Sequence, residues 1–349
     1  MCGRTACTLA PKEICRKCQY TQNGKKVQPN WWQDEGKYRP SFNMSPGQNT
    51  PVLVSAKHFE EPSECERVIL PMRWGLVPRW HKGDPNKVEY KMNNCRSDSM
   101  LQKASFKVPL QRGGRCVVLA DGYYEWNTTE DGKKQPYFIY FPKDATSDTK
   151  ELGVSVKSEK EEEKKTDEYD RSRLLTMAGV FDTWKGSDNK DGEPLYTYSV
   201  ITVEASSSLS WLHHRMPAIL ETDEDVKQWL DFGEVPLKEA VSVIHPASCL
   251  QYHPVSTLVN NSRNNSPECV KAIDPNKKKT SASANMMQAW LGKGKLQDSS
   301  SAVSSSKRKS SANVNLAKGI SAASSNNTVD KSVNDKDDEQ VSKKPKIEN

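Results

Sequence analysis

The sequence predicts an α+β fold: a mainly antiparallel, barrel-like β-sheet with short flanking helices. Three observations carry this. Short β-branched and aromatic runs recur along the first 270 residues, with turn signals such as Asn23-Gly24 and Asp131-Gly132 between them. Helical patterns are brief. Neither alternating strand–helix units nor a Gly-rich phosphate loop occurs.

In chain order, Pro11 to Tyr20 predicts a helix opened by its proline. Trp31 and Trp32 precede a polar loop. Arg39 to Pro46 reads as a loop bracketed by prolines, and Pro51 to Val54 as a strand. Val68 to Trp80 predicts a strand running into a loop. Tyr90 to Asp98 is polar where a core strand would be apolar, and Met100 to Ser105 predicts a short helix. Arg115 to Ala120 is a strand. Asp121 to Trp126 and Pro136 to Phe141 flank Asp131-Gly132 as a hairpin. Leu174 to Thr183 and Tyr196 to Val203 are strands, with Asp191-Gly192 as the turn between them. Asp223 to Phe232 is a helix capped by Thr222, Leu237 to Ile244 a shorter helix, and Tyr252 to Val259 a strand.

These elements define one domain over residues 1–270, large enough to bury a core. Residues 143–172 are a charged, aromatic-poor insertion expected to be disordered. Residues 271–349 form a Ser- and Lys-rich tail of the same kind. The tail's 15 Lys and Arg against 8 Asp and Glu account for the chain's net charge of +6. Residues 1–270 hold 36 against 37. A general polyanion-coating surface is therefore not implied, and nucleic acid would need a local groove. Clusters such as Lys307-Arg308-Lys309 and Lys343-Lys344-Pro345-Lys346 read either as solvated linker charge or as nuclear-import signals. The apolar island Met286 to Leu291 can dock on a partner, but lacks the paired aromatics of a sliding-clamp-binding box. No long apolar run or signal region is present, so neither membrane insertion nor secretion is expected. Nine scattered cysteines fit reduced thiols. The lone pair Cys15 and Cys18 has no second pair at zinc-ligand spacing, so neither metal nor cofactor is expected.

The chemistry centres on Cys2. Removal of Met1 leaves a thiol and an α-amine on one residue. Such a 1,2-aminothiol attacks acyl carbons, or condenses with an aldehyde through an imine to a thiazolidine. The plainer alternative is an ordinary fraying end. Glu125, His213 and Asn94 add a carboxyl, an imidazole and an amide, the parts of an acid/base site for a carbonyl or imine. Arg4, Arg96 and Arg215 can bind anions, and Trp80 and Trp126 can stack on bases or pack in a core.

Met1-Cys2-Gly3-Arg4, Met72 to Pro78, Asn94-Cys95-Arg96-Ser97-Asp98, Asp121 to Trp126 and His213 to Ala218 together resemble the SRAP family (SOS response-associated peptidase). The resemblance runs from residue 2 to about 268, apart from the acidic insertion. It implies a sensor of abasic sites in single-stranded DNA, crosslinked through Cys2 as a thiazolidine and acting at replication forks in the nucleus. It implies Glu125 as the acid/base for sugar opening and crosslink reversal, His213 as the hydrogen-bonding partner of the sugar oxygen, and Asn94 as the holder of the amino end. Arg4, Arg96 and Arg215 would contact the DNA backbone, and Asn43 and Trp80 would line the groove. A monomer is expected, with tail contacts to fork proteins. Two other readings use the same residues: an N-terminal-nucleophile peptidase or amidohydrolase, and a non-enzymatic reader of modified bases.

Overall fold

Continuous apolar runs such as Val52-Leu53-Val54 and Cys116-Val117-Val118-Leu119 cannot show one face to water, so they must be covered on both. The computed structural model places them in the middle of the larger sheet, fully buried. The structure describes residues 2–60, 63–88, 91–142, 173–186 and 193–275. The predicted insertion, the tail beyond residue 275 with its basic clusters and apolar island, and the Asp191-Gly192 turn lie outside them, while Ala272 bridges to Val255. The described residues belong to one unit, Met1–Lys279.

Along the chain, β1 (Thr5–Cys7) leads to α1 (Pro11–Lys17). The strands β2 (Tyr20–Gln22), β3 (Lys25–Val27), β4 (Asn30–Trp31), β5 (Ser41–Met44), β6 (Asn49–Ser55), β7 (Arg67–Trp74) and β8 (Asn94–Arg96) follow. After α2 (Ala104–Gln111) come β9 (Arg115–Ala120), β10 (Gly122–Thr128), β11 (Lys134–Tyr140), β12 (Leu175–Trp184), β13 (Leu195–Glu204) and β14 (Arg215–Pro217). Helices α3 (Asp223–Leu230) and α4 (Leu237–Ala240) precede β15 (Gln251–Pro254).

A five-stranded antiparallel sheet has the order β15-β11-β10-β1-β5. An eight-stranded sheet runs β14-β13-β12-β9-β6-β7-β4, with β8 also on β13. A further parallel pairing, Thr197 with Arg73 and Tyr198 with Trp74, joins β13 to β7 and makes a ring of β7, β6, β9, β12 and β13. The fold is thus mixed α+β and mostly sheet. Three pairings depart from the antiparallel rule: β4–β7, β7–β13 and β8–β13 are parallel. The β2–β3 hairpin turns at Asn23-Gly24, both at positive φ as its tight two-residue loop requires. Among the described residues no helix is long and apolar enough to cross a membrane.

Several elements differ from expectation. The predicted loop Arg39–Pro46 contains a strand, β5, because Asn43 and Met44 are buried against β1. The helix expected at Met100–Ser105 begins at Ala104 instead, where Phe106, Pro109 and Leu110 supply a buried face at helical spacing. Helix α1 stops at Lys17, so that Tyr20 can start β2. The strand expected over Tyr252–Val259 ends at Pro254, and Ser256 then caps a 3₁₀ turn by accepting the N–H of Leu258. The helix expected over Leu237–Ile244 breaks into α4 and a 3₁₀ turn. Thr222 does cap α3, in a reciprocal box with Asp225 at 3.0 Å each way.

Candidate active site at the amino terminus

Cys2 lies just ahead of β1, and its side chain is 0% exposed, so the fraying-end alternative fails. Register does the placing. Thr5 pairs with Tyr123 on β10, and the Arg4 carbonyl accepts the N–H of Tyr124 at 2.9 Å. Asp121 locks this corner from the other side by accepting both the N–H and the hydroxyl of Thr8, at 2.6 and 2.8 Å. At Gly122 a Cβ would meet the Phe138 ring at 2.4 Å, so the close approach of β10 to β11 requires glycine there.

The Cys2 carbonyl accepts a 2.7 Å hydrogen bond from Asn94 Nδ2 on β8. β8 is the polar segment that looked unlike a core strand. It is held by parallel pairing to β13, with Asn94 opposite Val200 and Arg96 opposite Thr202. Burial and then the nearby Glu125 carboxylate push the Cys2 thiol up to about 12, opposed by the backbone N–H of Arg4. Tyr123, buried beside both Cys2 and Glu125, has its hydroxyl held protonated chiefly by burial. The site therefore holds a neutral, desolvated thiol next to a buried carboxyl group.

His213 precedes β14. Its Nδ1 lies 3.0 Å from the backbone N–H of Arg215 and 3.1 Å from that residue's carbonyl oxygen. The ring is thus held by one edge in either tautomer, and Nε2 is the other edge. His214 stacks on it at 4.3 Å and is shifted toward neutrality, first by the His213 charge.

The two arginines expected on DNA part company. Arg96 is exposed and makes a forked contact to Asp98, with Nε at 3.2 Å and Nη2 at 2.5 Å. The Arg215 side chain is only 4% exposed. It donates to the Thr202 carbonyl and reaches Asp98 at 3.4 Å. Arg215 is thus a buried staple between β14 and β13, and Asp98 bridges both cations.

Arg4 and Asn43 are joined to each other and to the chain near Val259. Asn43 is buried, and its amide nitrogen faces the carbonyls of Val259, Asn261 and Asn264 at 3.2, 3.0 and 2.8 Å. Its oxygen accepts from Arg4 Nη1 at 2.7 Å, and the same nitrogen donates to Val259 O at 2.7 Å. The Arg4 guanidinium also sits 5.9 Å from the Trp126 ring, whose Nε1 donates to Asn260 Oδ1. Trp126 and Glu125 are neighbours on β10, so they face opposite sides of the sheet. The Arg4–Asn43 pair accordingly fastens the Asn260–Asn265 segment behind the Cys2 site. A buried position for Asn43 was foreseeable only by reading Ser41–Met44 as a strand.

Trp80 is 58% exposed on the loop between β7 and β8. That loop is anchored by Asp182, which accepts the Arg79 backbone N–H at 2.9 Å. Asp121 and Tyr123 are the site-building residues that sequence reasoning left without a role, although both lie in a motif it singled out. Among the described residues no group of three His, Cys, Asp or Glu side chains is arranged to hold a metal.

The comparisons accord with this architecture. A protein from Bacteroides thetaiotaomicron has a similar fold, with a TM-score of 0.56 at 22% identity, covering 78% of this chain and all of the other. A Xenopus tropicalis relative named abasic site processing protein HMCES is 52% identical over 300 residues, 83% of this chain and 85% of its own. The Gallus gallus protein of that name is 51% identical over 298 residues, 83% and 84% of the two chains. The abasic site processing protein YoqW of Bacillus subtilis is 31% identical over 240 residues, 68% and 88%. Residues 1–262 match the family described as SOS response associated peptidase (SRAP), a span that takes in Cys2, Asn94, Glu125 and His213, and the chain belongs to that family.

Proposed function

We propose that this protein processes abasic sites in single-stranded DNA by forming a covalent thiazolidine through Cys2. The observation that carries the proposal is the buried Cys2, clamped by Asn94 beside Glu125. Once Met1 is removed, the α-amine of Cys2 attacks the C1′ aldehyde of the ring-opened sugar. Loss of water gives an imine. The thiol then adds to the imine carbon while its proton passes to the nitrogen, so one water leaves overall. A thiol held protonated suits this order, because the amine, not the sulfur, is the first nucleophile.

Glu125 supplies and withdraws protons during sugar opening and on the reverse path, its buried setting favouring proton transfer. His213 presents its Nε2 edge to the sugar oxygen. Arg96, exposed beside its partner Asp98, contacts a phosphate, and Trp80 stacks on a base. The five-strand ring is the barrel-like scaffold behind them. The names of the relatives support the substrate, and the basic clusters of the tail support nuclear import and contacts at replication forks. The protein acts as a monomer.

The family description favours a second reading, in which the Cys2 thiol attacks a peptide carbonyl, including that of Met1. One experiment separates the two. Single-stranded DNA carrying one abasic site is incubated with the protein and resolved under denaturing conditions. The expected result is a heat-stable adduct that Cys2→Ala abolishes and Cys249→Ala leaves intact. No adduct from Met1-processed protein would sink the crosslinking proposal. Peptide turnover without any adduct would assign the peptidase instead.

A further inference from the structure

Beside the chemistry stands a group of aromatic rings that the mechanism does not use. Trp211 is 44% exposed and Tyr252 is 41% exposed, unusual for side chains of this size. Their rings lie 5.3 Å apart, and both meet the half-buried Tyr137, at 5.1 Å from Trp211 and 6.2 Å from Tyr252.

This patch is continuous with the Cys2 site. Tyr137 is the cross-strand partner of Glu125, so both project from one face of the sheet with Cβ atoms about 5 Å apart. Asn127, two residues beyond Glu125 and on the same face, donates to the Trp211 carbonyl at 3.4 Å. Trp211 in turn stands two residues before His213. The indole N–H is already taken by the Ser208 carbonyl at 2.9 Å, which fixes the ring and leaves its apolar surface as what it offers a ligand.

We infer that Trp211, Tyr137 and Tyr252 form a stacking platform for a nucleobase adjacent to the abasic nucleotide. The inference rests on the proposed reaction, which puts single-stranded DNA at Glu125. Bases next to a missing base have lost a stacking neighbour, and an aromatic side chain replaces it without regard to sequence. A fixed platform also holds the strand so that the sugar stays at Glu125 and Cys2.

The test is a cycle between side chain and base. Binding is measured by fluorescence anisotropy with DNA containing a tetrahydrofuran abasic analogue, which cannot react. Trp211→Ala and Tyr252→Ala should each weaken binding by about 5- to 100-fold with unchanged melting temperature, and Trp211→Phe should restore most of the loss. In wild-type protein, also removing the base on one side of the analogue should cost a similar factor. In Trp211→Ala that second removal should cost little. Wild-type affinity in both alanine variants would assign the patch to a protein partner and overturn the proposal, as would fully additive losses. Adduct formation at saturating reactive DNA keeps the readings apart. Trp211→Ala should still crosslink through Cys2, whereas failure of wild-type protein to crosslink counts against the reaction and not against the platform.

Discussion

Asn94 Nδ2 donates to the carbonyl oxygen of Cys2 at 2.7 Å, joining residues 92 positions apart. This contact fixes the backbone of the residue whose amine and thiol both reach one carbon in the proposed reaction. Asn94→Ala should lower the adduct-forming rate by about tenfold and stability by about 1–2 kcal/mol. Asn94→Asp should be worse, because a carboxylate would face the carbonyl oxygen. Single-turnover crosslinking together with thermal melting checks both, and an Asp variant better than the Ala variant would refute the donor role.

The Cys2 thiol is raised from its ordinary 9.0 to about 12, so folding favours its protonated form. That contribution to stability is complete below pH 9 and is lost as pH rises from 9 toward 12. Cys2→Ala should therefore lose stability less steeply than wild type in that window, by up to about 1.4 kcal/mol per pH unit. Chemical denaturation at pH 8, 9, 10 and 11 measures the difference, and parallel curves would contradict it.

Glu125 is the second cause of the raised thiol, after burial. Glu125→Gln should make Cys2 more acidic and speed its alkylation at a given pH, as read by mass spectrometry of the Cys2 peptide. The same variant should form and release the DNA adduct more slowly. A thiol that gains reactivity while the enzyme loses it separates proton transfer by Glu125 from mere activation of sulfur.

Arg96 and Arg215 share Asp98 but should respond in opposite ways. Arg96→Ala should fold normally, weaken single-strand binding and reduce its salt slope by about 0.7. Arg215→Met should cost about 1–3 kcal/mol of stability, since it removes the buried donor to the Thr202 carbonyl. Melting curves and binding at two or more salt concentrations test the pair.

Asn43→Ala should destabilise the domain by about 1–3 kcal/mol and expose residues 259–264 to proteolysis, with DNA affinity unchanged in the folded fraction. Reduced DNA affinity without loss of stability would instead support Asn43 as a residue of the DNA groove.

The strands around Cys116 and Tyr198 were legible because local composition decides a doubly buried strand. Cys2, Glu125 and Asn94 were legible as chemical types, and the fold brings them together. The directions of the polar side chains were not legible. Arg215 and Arg96 look alike in sequence, and only the pairing of β14 and β8 with β13 turns one inward and leaves the other outside. The strand around Asn43 was not legible because flanking prolines suggested a loop, whereas its amide meets carbonyls more than 200 positions away. The β8 segment misled for a similar reason. Its polarity serves the contact to Cys2, not a core.

β10 works as a partition with two occupied sides. Tyr123, Glu125 and Asn127 face the reacting residues, while Tyr124 and Trp126 face the cluster that includes Phe138 and Val259. A substitution scan from Gly122 to Thr128 should therefore oscillate with a period of two, catalytic loss alternating with loss of stability. A slip of one residue between β1 and β10 would exchange the two faces, turning the carboxylate away from Cys2 and pointing an indole at it.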